Sequence, residues 1–203
     1  NRILLNILQS IEAVSIPVQL RVFGMDTNNA LRIYGVLTGM ALPLILFPTA
    51  VSNSIASMTL PAIAELQASR NHTAIKIFVS RLCLGSLLLG AMCSVVFLFG
   101  GSLAGIWLFH SSLAGKFITT LAWICPFLYT NSILTSIING LGKPFISFLY
   151  NSLHLIIRIL SIYIYIPQKG IYGYLIGLLF SQVLLFFLSL QFLYRYFQKS
   201  EIT

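Results

Sequence analysis

The sequence predicts an all-α integral membrane protein built as a six-transmembrane-helix bundle. Two observations carry that expectation. Of 203 residues, 58% are hydrophobic and only 8% are charged. A soluble domain carries roughly 25% charged residues, and there is too little polar surface here to cover a globule in water. The apolar residues also gather into six runs close to the roughly 20 residues needed to cross a hydrocarbon core. In that solvent the backbone must be satisfied within each helix.

The spans are read at about 3–20, 34–59, 82–100, 117–139, 145–166 and 171–194. The first is interrupted by Glu12 and Pro17, and the third has no charged residue. Short connections favour antiparallel neighbours packed as one bundle. The second run is the most distinctive. It carries Pro43 and Pro48, is expected to end at Leu60-Pro61, and then turns basic through Arg70. Proline inside a helix frees carbonyls, which Ser52, Asn53 or water could satisfy, so the run reads as a bent, cavity-lining helix. Pro126 is expected to bend the fourth span in the same way.

Two connections are expected to lie at the membrane surface. In 61–76, Pro61 suits a first helical position and Glu65 its first turn, with Ile63, Leu66 and Ile75 holding the segment flat on lipid. The stretch 101–116 is too short to span and is expected to dip into the interface through Ile106-Trp107-Leu108-Phe109. Gly140-Leu-Gly-Lys-Pro144 lacks the spacing of a phosphate-binding loop and reads as a tight turn. Tyr163, Tyr165, Tyr172 and Tyr174 cluster like an interfacial aromatic belt.

The net charge of +8 arises from basic residues mostly between the apolar runs, so anionic lipid headgroups, and no nucleic acid, are the expected partners. Seven basic residues (Arg2, Arg70, Lys76, Arg81, Lys143, Arg195, Lys199) fall at the end that holds both termini, against four (Arg21, Arg32, Lys116, Lys169) at the other. That bias places both termini on the cytoplasmic side of the cell membrane. Asn71-His-Thr is formally a glycosylation sequon, but it falls on that side. Cys83, Cys93 and Cys125 lie in apolar runs without paired spacing and read as small buried hydrophobes. The chain begins hydrophobic at Asn1 with no basic leader, which argues against a cleaved signal and for a fragment of a longer protein.

Polar residues inside the spans are the candidate site. Ser147, Asn151, His154, Arg158 and Ser161 recur at three or four residues and share one helix face. Arg158 either meets an anionic group in a cavity or snorkels to the interface. Glu12 lies in a stripe with Gln9, Ser15 and Gln19. It is a candidate proton or cation site, the buried partner of Arg158, or a hydrogen-bonded packing residue. Asn53 with Ser57, and Asn131 with Thr135 and Asn139, form further stripes that either contact substrate or join helices. No nucleophile–base pair and no metal-spaced cluster is evident, so no enzyme activity, cofactor or metal is expected.

One run carries a resemblance. Thr38 to Glu65, TGMALPLILFPTAVSNSIASMTLPAIAE, resembles the multidrug/oligosaccharidyl-lipid/polysaccharide (MOP) flippase superfamily, in the branch of the stage V sporulation protein B and polysaccharide biosynthesis proteins. The Phe47-Pro48 to Leu60-Pro61-x-Ile-x-Glu65 spacing also fits the lipid II flippases. Pro126-Phe-Leu-Tyr and Asn139-Gly-Leu-Gly-Lys143 are similarly placed in that group. The resemblance implies a MATE-like fold of two six-helix halves, of which this chain would be the second, the N-terminal six-helix half being missing. It implies a lipid-linked glycan substrate, an oligosaccharide or peptidoglycan precursor on undecaprenyl pyrophosphate, moved by alternating access. Arg158 and Arg32 are then this chain's candidates for the pyrophosphate, because arginine offers it bidentate hydrogen bonds. Where the lipid II branch tends to have arginine, five residues before the Phe-Pro proline, this chain has Pro43. A drug or cation antiporter of the same fold, or an inactive half, are the competing readings.

Overall fold

A computed structural model describes residues 2–69 and 72–200, with side chains described for 3–69 and 73–198; Arg70 and Asn71, with the sequon, lie outside the described residues, as do the side chains of Arg2 and Lys199. The described chain is helical throughout. Helix α1 is Arg2–Val22, and α2 (Thr27–Val36) leads through a π-helical turn (Leu37–Ala41) into the short α3 (Leu42–Leu46). Helix α4 is Thr49–Ala68 and α5 is His72–Phe109; α6 (Ser112–Leu121) leads through a 3-10 turn (Ala122–Ile124) into α7 (Cys125–Gly140). Helices α8 (Pro144–Lys169) and α9 (Ile171–Ser200) complete the chain. Six stretches among the described residues are long and apolar enough to cross a membrane: Ile3–Val22, Thr27–Leu46, Thr73–Phe109, Ser112–Gly140, Pro144–Lys169 and Ile171–Gln198.

The second run breaks where its prolines dictate. Pro43 cannot donate to Gly39, and just before it the ladder widens, so that the amide of Leu42 reaches back to the carbonyl of Leu37. At Pro48 the helix breaks outright, and α4 restarts with the amide of Val51 donating to the carbonyl of Pro48 at 3.1 Å. The freed carbonyls are not taken by Ser52 or Asn53. The carbonyl of Ile45 accepts from the Tyr129 hydroxyl at 2.8 Å and that of Leu46 from the Thr49 hydroxyl. Pro126 sits in the first turn of α7, directly after the 3-10 turn.

Two surface expectations are corrected. Leu60-Pro61 does not end a helix: Pro61 lies inside α4, and Glu65 is in that helix's last turns. Ile63 and Ile75 are buried in the core rather than laid on lipid. Proline is tolerated mid-helix in a bundle where neighbours re-satisfy the backbone. Likewise 101–116 is no dipping loop. Helix α5 runs on to Phe109, turns at His110 and Ser111, and α6 starts at Ser112 with the Ser111 hydroxyl capping the amide of Ala114 at 3.3 Å. The reason is close packing: a Cβ on Gly105 would stand 2.2 Å from the amide nitrogen of Gly115, so only glycine lets α5 and α6 cross here. At 38 residues α5 is about 57 Å long, well beyond a roughly 30 Å hydrocarbon core.

The turn at Gly140–Pro144 forms as expected. Gly142 takes φ +71, its amide bonds the carbonyl of Asn139, and the amide of Lys143 bonds that of Ile138, which closes the end of α7 before Pro144 starts α8.

The core falls into two apolar clusters stacked along the bundle. One gathers Leu20, Leu37, Ile45, Phe117, Tyr129, Ile162 and Leu175; the other gathers Ile63, Val79, Leu134, Ile137, Phe186 and Leu193. Along α5, α7, α8 and α9 the residues between them are polar and buried: Ser86, Thr130, Asn131, His154, Ser181 and Gln182. Thr130 bonds Pro126 and receives Ser86, and Asn131 binds Gln182. This polar layer positions the site.

Candidate functional site

Two polar arrangements occupy the interior, and the stripe on α8 feeds both. At its C-terminal end, Arg158 donates through Nη2 to the Glu12 carboxylate on α1 and, at 2.9 Å, to the Tyr174 hydroxyl on α9. The Tyr174 hydroxyl donates in turn to the same Glu12 oxygen at 2.7 Å. The guanidinium carbon lies 5.9 Å from the Tyr174 ring centroid, within reach of a cation–π contact. The side chains of Arg158 and Glu12 are only 18% and 7% exposed, so the guanidinium is paired within the bundle rather than snorkelling. Ser15 and the Tyr163 hydroxyl meet at 3.1 Å and add a second tie between α1 and α8. Tyr174 is therefore an interior residue; Tyr163, Tyr165 and Tyr172 keep the exposure expected of a belt.

One to three turns nearer the start of α8, the same face opens onto a cleft. It has a volume of about 280 Å³ and is lined by Leu128, Asn131, Ser132, Thr135, Asn151, His154, Gln182 and Leu185. A wider cleft of about 610 Å³ adjoins it through Thr135 and Asn151 and extends past Asn139 and Ser147 to Leu5 and Leu60. Asn131 donates both to the carbonyl of Gln182 (2.9 Å) and to its side-chain oxygen (2.8 Å). Ser132 donates to Asn53 Oδ1 at 2.6 Å, which joins α4 to the rim. Asn151 donates to the carbonyl of Ser147 at 2.8 Å.

Two polar atoms of this cleft's walls have no partner: Asn131 Oδ1 and His154 Nε2, on side chains only 5% and 6% exposed. A buried polar group without a hydrogen bond costs roughly 1–3 kcal/mol. Among the described residues, none that lines either cleft is charged.

The fold thus brings together Glu12 with Arg158, and Asn131, Asn151 and His154 with Asn53 at the edge. It does not bring Arg158 to the cleft, because Glu12 and Tyr174 engage it. Arg32 is exposed on α2 and lines neither cleft. Cys125 is buried, whereas Cys83 and Cys93 are only partly so. Sequence reading missed Gln182, Tyr174 and Tyr129. A glutamine beside a serine inside the sixth apolar run was the available signal for the first.

No family model matches the chain, and no curated protein matches it. A solved structure does: a MOP superfamily transporter from Pyrococcus furiosus Vc1 (DSM3638), whose binding pocket is described as having reverse polarity. It matches at a TM-score of 0.77 and 16% identity, over 94% of this chain and 42% of that one. The chain shares the fold of part of that transporter. The present chain spans less than half the length of that protein. Within this shared fold, the polar cleft opens along α7 and α8, and the Glu12–Arg158–Tyr174 cluster ties α1, α8 and α9 together beside it.

Proposed function

We propose that this chain is the second six-helix half of a MOP superfamily flippase that moves a lipid-linked oligosaccharide or peptidoglycan precursor across the cytoplasmic membrane by alternating access. The observation that carries the reading is the uncharged polar cleft in a membrane-spanning bundle of that fold. Hydroxyl and amide groups that only joined helices would close on one another; here they wall open volume inside a membrane-spanning bundle, which supports a substrate path. The chain matches 42% of a longer transporter, and on this reading an N-terminal half supplies the opposite cavity wall. The resemblance of Thr38 to Glu65 to the sporulation and polysaccharide-biosynthesis branch points to the glycan substrate. Both termini of the segment are placed on the cytoplasmic side, with the basic ends against anionic headgroups. The drug/cation antiporter reading fits less well, because Glu12, the acidic residue of these spans, is already held by Arg158.

The test is complementation of a flippase-depleted cell. Full-length protein restores export of the lipid-linked precursor, and residues 1–203 alone do not. Complementation by the 203-residue piece would overturn the half-transporter reading, and failure of the full-length protein would overturn the substrate class.

A further inference from the structure

The chemistry of the cleft says which part of such a substrate it takes. This step rests on the lipid-linked glycan reading given above. The walls supply hydrogen-bond donors and acceptors and no charge: the unpartnered Oδ1 of Asn131, the unpartnered Nε2 of His154, the side-chain amide of Asn151, and the hydroxyls of Ser132 and Thr135. Leu128 and Leu185 add apolar surface. A pyrophosphate would call for cationic donors, and the nearest one on this helix, Arg158, is engaged by Glu12 and Tyr174. A cationic ligand would call for a carboxylate, and Glu12 is engaged by Arg158 and Tyr174. What remains is a neutral group rich in hydroxyls and amides with apolar faces, which describes a sugar ring.

We propose that the cleft between α7, α8 and α9 binds the uncharged glycan portion of the lipid-linked substrate through Asn131, Asn151 and His154, and leaves the pyrophosphate to groups outside this cleft. Asn131 and His154 are buried with one hydrogen-bonding atom each unsatisfied, so a sugar hydroxyl or acetamido group that reaches either by a small shift of the wall gains a bond without displacing an existing one. The wider adjoining cleft, at about 610 Å³, falls in the range of small-molecule sites and gives further sugar residues room towards Asn139 and Ser147.

The experiment measures binding of two lipids to the full-length protein in lipid nanodiscs: undecaprenyl pyrophosphate carrying an N-acetylated disaccharide, and undecaprenyl pyrophosphate alone. The wild type is expected to prefer the glycosylated lipid. His154→Phe and Asn151→Leu are each expected to weaken that lipid about tenfold, the value of one hydrogen bond at the upper end of the usual range, and to leave the sugar-free lipid unchanged. His154→Gln, which keeps a donor and an acceptor, restores most of the affinity and shows that the loss is not misfolding. Equal weakening of both lipids, or equal wild-type affinity for both, overturns the glycan assignment alone. Absence of binding of either lipid to the wild type overturns the parent reading as well.

Discussion

Glu12 and Arg158, 146 residues apart in sequence, form a largely buried ion pair that joins the first span to the fifth and is completed by the hydroxyl of Tyr174. Removing one member leaves the other charged and unpaired in a low-dielectric interior, at a cost of about 3–5 kcal/mol, whereas replacing both costs far less. Glu12→Gln and Arg158→Met should each lower the thermal unfolding midpoint of the detergent-purified protein. The double variant should fall less than the two losses combined. Strict additivity would mean that the two side chains are not energetically coupled.

Tyr129 has a narrower role. Its hydroxyl satisfies the Ile45 carbonyl beside the proline break. Tyr129→Phe keeps the ring in its fully buried site but strands that carbonyl, a loss of about 1–3 kcal/mol. Thermal stability should drop accordingly. An unchanged midpoint would indicate that another group takes over the carbonyl.

Glycine at the α5–α6 crossing is required by space. Gly105→Val should abolish accumulation of folded protein in the membrane, since its Cβ would collide with the backbone of Gly115. Gly100→Ala, where an added Cβ meets nothing within 4 Å, should be tolerated. Quantifying monodisperse protein after detergent extraction compares the two.

Water access separates the cleft from the lipid face. In a background with Cys83, Cys93 and Cys125 replaced by alanine, Asn139→Cys and Ser147→Cys should react with a membrane-impermeant maleimide at least about tenfold faster than Leu88→Cys or Phe99→Cys. The latter two positions are exposed apolar sites on α5 and are expected to face hydrocarbon. Equal rates would place the cleft out of contact with water.

The apolar runs were legible because lipid imposes a length and a composition that a sequence displays directly. Helix ends were less so. Leu60-Pro61 and Gly100-Gly101 look like stops by the rules of soluble helices, yet in a bundle the freed backbone finds neighbours, and glycine marks contact rather than termination. The polar stripe on α8 was visible as a stripe, with Ser147, Asn151, His154 and Arg158 on one face. Its division was not. Periodicity reports a face but not what covers it at each height, so nothing local distinguished Arg158, capped by α1 and α9, from His154, open to a cleft. Tyr174 was hidden for the same reason, since an interfacial tyrosine and a buried one at a span's end have the same local sequence.

The polar layer between the two apolar clusters has one more consequence. Hydrocarbon and leucine are equivalent solvents, so apolar packing alone fixes weakly how far each rod is raised or lowered against its neighbours. A slip of one turn, about 5.4 Å, would carry Asn131 away from Gln182 and Ser86 away from Thr130, and leave amides and hydroxyls stranded in oil. These matched pairs therefore act as height marks: they set the vertical alignment of α5, α7 and α9, and so the depth in the membrane at which the cleft is held.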